Sequence, residues 1–213
     1  MSQFEIIYDI MVHPNEALKH LKEKCVYGWS LFLYFFFKMI TAFTLIPYTV
    51  DTIEPGLRFK LQQSGIKEEQ IDSIIQSQFY GPLRYLNSLG EGIKGVIAIV
   101  LLSILIWLTL SIIKRRLNRK DFKSVFSIIS NSSVVLILGN ILILVFAISG
   151  LSNFVNLAVF LQNINSNIFV LSIASFIDPF NIWMIGIATL GCLTIFELKD
   201  YDIAALILSV PVT

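Results

Sequence analysis

IKGVIAIVLLSILIWLTLSII, residues 93–113, decides the fold. About 21 residues at 1.5 Å each cover a hydrocarbon core of roughly 30 Å. The run holds a single charge, Lys94, at its very start. It therefore predicts a membrane-crossing helix, and a sequence with one such helix invites a search for others on either side.

Immediately downstream stand Lys114, Arg115, Arg116, Arg119, Lys120 and Lys123. A short basic loop next to a span marks the cytoplasmic side of a bilayer, so this loop sets the expected orientation. Residues 132–149 then predict a third span, and the following segment 150–178, which has no Lys or Arg, is expected outside. Residues 180–196 (FNIWMIGIATLGCLTIF) predict a fourth span with Trp183 near its outer end. Upstream, residues 28–46 (GWSLFLYFFFKMITAFTLI) predict the first span, opened by Trp29. The last apolar run, 203–213, has about half the length that a crossing needs, which predicts a truncated or incomplete fifth span.

The rest of the chain fits between these runs. Phe4, Ile7, Tyr8 and Met11 recur at helical spacing, and Pro14 suits the first turn of a second helix with Leu18, Leu21 and Cys25 on one side and Lys19, Lys22, Glu23 and Lys24 on the other. Residues 1–27 thus predict interfacial amphipathic helices. Residues 47–92 are expected to form an external polar insertion, irregular at first, then an amphipathic helix capped by Ser64 with Ile71, Ile74, Ile75 and Phe79 on one face. Gly81 and Pro82 end that helix. The expected fold is all-α: a polytopic membrane helical bundle of about five transmembrane helices, forming one membrane domain over 1–213.

Composition agrees. The 213 residues are 55% hydrophobic and 15% charged, with mean hydropathy +0.75, against ~45–50% and ~25% in soluble domains. A net charge of +1 gives no electrostatic bias towards nucleic acid. Cys25 and Cys192 form neither a disulfide framework nor a zinc pattern. His13 and His20 make no metal-binding helix motif and are expected at the solvated interface, and no nucleophile elbow, phosphate-cradling glycine loop or carboxylate within a secure span is visible. No enzyme activity, cofactor or metal is expected.

Two polar residues stand inside apolar runs. A charge at the centre of a span costs about 2.5–3.5 kcal/mol on insertion scales, so Lys38 calls for compensation by a bundle contact, a water-filled cavity or a lipid phosphate, unless it snorkels to an interface. Asn140 is expected to hydrogen-bond between helices, and Gly139, Gly186 and Gly191 to permit close helix packing. The basic cluster can attract anionic headgroups, on the order of 1 kcal/mol per cation, beyond its topological role.

Several local stretches carry a resemblance. His13-Pro14-Asn15-Glu16-Ala17-Leu18 followed by Gly28-Trp29-Ser30-Leu31, Asp121-Phe122-Lys123-Ser124-Val125-Phe126-Ser127-Ile128-Ile129 leading to Ser132-Ser133, and Asp178-Pro179-Phe180-Asn181-Ile182-Trp183 with Gly186 and Gly191 resemble the Yip family of multi-pass membrane proteins, in its bacterial form. Val134-Val135 stands where the family often has a proline. The Lys/Arg asymmetry places the N-terminus in the cytoplasm, and the resemblance implies a non-catalytic membrane scaffold or accessory subunit of the cell membrane, acting through lipids or a membrane-protein partner such as an ABC-type exporter. A transporter or lipid-handling protein with a polar intramembrane site at Lys38 and Asn140 is the alternative.

Overall fold

A computed structural model describes residues 2–114, 119–149 and 179–198. Its helices are α1 (Gln3–Val12), α2 (Pro14–Glu23), α3 (Gly28–Gln63), α4 (Glu68–Phe79), α5 (Leu83–Lys114), α6 (Arg119–Ser132), α7 (Val135–Ile148) and α8 (Pro179–Phe196). Among the described residues four helical stretches are long and apolar enough to cross a membrane: Gly28–Ile46, Leu83–Lys114, Lys120–Ile148 and Pro179–Phe196. The expected fifth span, 203–213, lies outside the described residues, as do the segment 150–178, Arg115 and Arg116.

Local chemistry explains where the first helices begin. The Ser2 hydroxyl accepts the Glu5 N–H at 3.3 Å while the Glu5 carboxylate accepts the Ser2 N–H at 2.7 Å, a reciprocal capping box that satisfies donors α1 would otherwise leave open. Pro14 opens α2, where a missing N–H costs nothing. The apolar stripe of α1 differs from the expected one. Ile6, Ile7 and Ile10 are buried, whereas Phe4 and Tyr8 are exposed, with Phe4 against Trp29 at 5.4 Å. On α2, Ala17, Leu18 and Leu21 are fully buried in the main core together with Ile128 and Cys192. The amphipathic N-terminal helices thus turn these buried faces onto α6 and α8.

The expected irregular start of the insertion is instead continuous helix, because α3 runs on through Pro47 and Pro55 to Gln63. A proline inside a helix leaves the carbonyl four residues earlier without its donor. For Pro47 that carbonyl belongs to Phe43, and Arg84 of α5 donates to it twice, from Nε at 3.1 Å and Nη2 at 2.6 Å. The same guanidinium lies 3.8 Å from the Phe43 ring centroid, adding a cation–π contact. A residue 41 positions away therefore lets the helix pass its proline.

Ser64 caps the end of α3 rather than the start of α4, whose N-cap is Lys67. Gly65 takes φ +76, its N–H reaching Gln62 O at 2.9 Å, and the Ile66 N–H reaches Leu61 O at 3.2 Å. That pair of bonds is a Schellman turn, with Ile66 and Leu61 supplying the apolar contact that accompanies it. The turn folds α4 back so that Val50, Ile71, Ile75 and Phe79 form a second small core. Arg58 ties the hairpin together through Asp72 at 2.7 Å and Glu68 on α4, and pairs with Glu54 on its own helix at 3.0 Å. Asp72 foremost, then Glu54 and Glu68, push the Arg58 pKa further above its usual value, and the Gln62 amide followed by Arg58 holds the Glu68 carboxyl below the usual carboxylate range.

The third span also departs from expectation, being two helices that meet at Ser133 and Val134. The helix starting at Arg119 takes Lys120 and Lys123 out of the expected loop, and its Val125, Ile128 and Ile129 are fully buried.

Candidate functional site

Two polar clusters interrupt the apolar bundle. The first lies where α2 gives way to α3. The Val26 N–H donates to Ser127 Oγ at 3.1 Å, and Ser127 Oγ donates back to Val26 O at 2.9 Å. Asn131 Nδ2 reaches Val26 O at 2.6 Å and Ser127 O at 2.7 Å, while its Oδ1 accepts from Ser30 Oγ at 2.6 Å. Ser30, Ser127 and Asn131 are all buried. The chain break between α2 and α3 would expose main-chain polar groups to an apolar surround, and α6 supplies partners for them. Ser30 and Ser127 fall in the stretches that carry the resemblance, but the sequence marks neither them nor Asn131 as a polar cluster, because serines and asparagine next to a helix end read as ordinary polar boundary.

The second cluster is a cavity of about 340 Å³ between α3, α5, α7 and α8. It brings together the two polar intramembrane candidates, Lys38 and Asn140. Tyr34, Glu91, Lys94 and Asn181 complete its polar lining. Lys94 Nζ donates to Glu91 Oε1 at 2.6 Å, one turn apart on α5. No hydrogen bond or ion pair joins Lys38 or Asn140 to a described residue, although Asn140 is only 7% exposed. The interhelical bond expected of Asn140 is therefore not formed among the described residues.

Glycines set how closely the walls approach. A Cβ at Gly139 would lie 2.9 Å from Phe180 Cδ2, and one at Gly95 would lie 2.9 Å from Tyr34 Cε1. Gly191 is tighter still, with Ile128 Cγ2 at 2.6 Å and Leu18 Cδ2 at 2.8 Å. Gly186 meets nothing within 4 Å among the described residues, so close packing is seen at Gly139 and Gly191 and not there. Glu91 and Lys94 fall at the edge of a polar stretch, where charged residues read as ordinary boundary, so the sequence does not mark them as site residues. The only signal was their place beside Gly92 and Gly95, two small residues one turn apart.

The basic cluster splits. Lys114 Nζ donates to Glu197 O at 3.2 Å and Lys22 Nζ to the Glu197 carboxylate at 3.0 Å. Glu197, at φ +50, ends α8 in a conformation uncommon for a non-glycine residue, and the two lysines clasp it. The Lys22 hydrogen bond, reinforced by its charge, holds the Glu197 carboxyl below the usual range. Lys120 and Lys123 are exposed on α6. His20 also differs from the solvated residue expected, since its Nε2 is buried without a hydrogen-bond partner among the described residues.

Four apolar stretches of membrane-crossing length, packed around a polar cavity, define a polytopic α-helical membrane protein. The profile of the Yip1 domain matches residues 8–213, and the chain belongs to that family. No curated protein and no solved structure matches it.

Proposed function

We propose that the protein is a non-catalytic scaffold or accessory subunit that docks a membrane-protein partner through the α3–α4 hairpin. The observation that carries this reading is the continuation of a membrane-crossing helix as a stiff arm. Residues 47–63 add about 25 Å of helix at 1.5 Å per residue beyond the first span. Arg84 braces its base and Arg58 binds it to α4, so a force on the arm reaches the bundle. Phe59, 60% exposed on this arm, is a large aromatic side chain of the kind enriched at interfaces. The basic residues Lys114, Lys120 and Lys123 support an orientation with their end of the bundle in the cytoplasm and the hairpin outside, in the cell membrane. The family resemblance supplies the kind of partner, an ABC-type exporter.

A photo-crosslinking amino acid at position 59, irradiated in native membranes, is expected to give one dominant protein adduct. The same probe at position 112, on the lipid-accessible side of α5 where Ile112 is 80% exposed, is expected to give chiefly lipid adducts. Lipid adducts alone at both positions would remove the support for the docking arm.

A further inference from the structure

We propose that the Lys38 cavity binds a phosphate group, either as the headgroup of an anionic lipid or as the free ion. This site is independent of the docking arm, which lies on a different part of α3. Three observations converge on it.

The first is charge. Lys38 and Lys94 bring two ammonium groups to the cavity wall against one carboxylate, that of Glu91. Glu91 is taken by Lys94 at 2.6 Å, so among the described residues the charge of Lys38 stands uncompensated. Inside an apolar bundle such a charge attracts an anion far more strongly than it would in water.

The second is an unused hydrogen-bonding group. Asn140 is more than nine-tenths buried, lines the same cavity and makes no hydrogen bond to a described residue. Its amide opens onto a space large enough for a ligand.

The third is setting. Lys38, Lys94, Asn140 and Asn181 all lie within membrane-crossing stretches, so a headgroup joined to hydrocarbon can reach the cavity from the bilayer. Its volume falls at the lower end of the ~300–1,000 Å³ typical of small-ligand pockets. Phe180 and Asn181, in the first turn of α8, close the remaining side of the cavity. A phosphate has oxygens in enough directions to meet Lys38 on α3 and Asn140 on α7 together. A cation would meet the wrong sign, and a neutral group would leave Lys38 uncompensated.

The test is lipid binding by native mass spectrometry of the intact protein in detergent, titrated with phosphatidylglycerol or phosphatidylcholine of identical acyl chains. Phosphatidylglycerol is expected to bind in preference. Lys38→Met should weaken it by about fivefold, the worth of one cation near a lipid charge. Glu91→Gln releases Lys94 and should strengthen it, a gain that general destabilisation cannot produce. Lys60→Met, on the arm, should leave it unchanged. Competition by inorganic phosphate at constant ionic strength separates the sources: displacement of the lipid shows that the free ion enters, and no displacement shows that the esterified form is required. Equal binding of the two lipids, or an unchanged preference in both Lys38→Met and Glu91→Gln proteins that retain wild-type melting temperatures, overturns the site.

Discussion

The junction around Asn131 and the cavity around Lys38 are built from similar side chains but use them differently. At the junction, Asn131 spends both its amide and its carbonyl on Val26, Ser127 and Ser30, closing the gap between α2 and α3. At the cavity, Asn140 and Lys38 spend nothing on a described residue. Polar groups in a membrane bundle that are fully paired hold the fold together, whereas the unpaired Lys38 and Asn140 are what the proposed ligand would satisfy.

The sharpest way to break this contrast is to remove the paired asparagine. Asn131→Leu deletes three hydrogen bonds and leaves buried partners open, for an expected loss of about 2–3 kcal/mol, read as a lower melting temperature in detergent. A wild-type melting temperature would show that the junction is ornamental. A somewhat smaller effect is expected at the adjoining α2–α6–α8 contact. There Gly191→Ala forces Ile128 and Leu18 aside, costing about 1–2 kcal/mol, while Gly186→Ala, with no described residue within 4 Å of the added carbon, should be silent. Equal losses at the two glycines would contradict the packing described.

The weakest contribution comes from the exposed clasp of Lys22 on Glu197. Its carboxyl is lowered in the folded state, so it adds stability above the ordinary carboxylate value of ~4.3, and that increment disappears as pH falls through the folded value. Melting temperatures measured from pH 6 down to pH 3 should therefore fall slightly further for the wild type than for Lys22→Met. Parallel curves would mean that the clasp contributes nothing.

The spans were legible because an uncharged apolar run of membrane length has few other uses in a protein. The passage of α3 through Pro47 was not, since it depends on Arg84, far along the chain, finding the freed Phe43 carbonyl. Ser64 belongs to the end of α3 and not to the start of α4, and Gly65 is the signal for it: a serine followed by glycine suits the end of one helix better than the start of the next. The basic residues before Val125, Ile128 and Ile129 suggest a loop, while the helical spacing of these three points to the buried face that they form. At the cavity, Lys38 and Asn140 could be singled out as intruders in apolar runs. Their convergence, and the arrival of Glu91 and Lys94 beside them, is a product of packing between helices distant in sequence, which periodicity does not encode.

The most direct test of the central claim compares thermal unfolding of Lys38→Met, Asn131→Leu and wild type in the same detergent with no added lipid. If the junction is structural and the cavity is reserved for a ligand, Asn131→Leu melts well below wild type. Lys38→Met, freed of an uncompensated charge, melts at or above it. A fall in Lys38→Met as large as that in Asn131→Leu would contradict the account, because Lys38 would then be holding the fold.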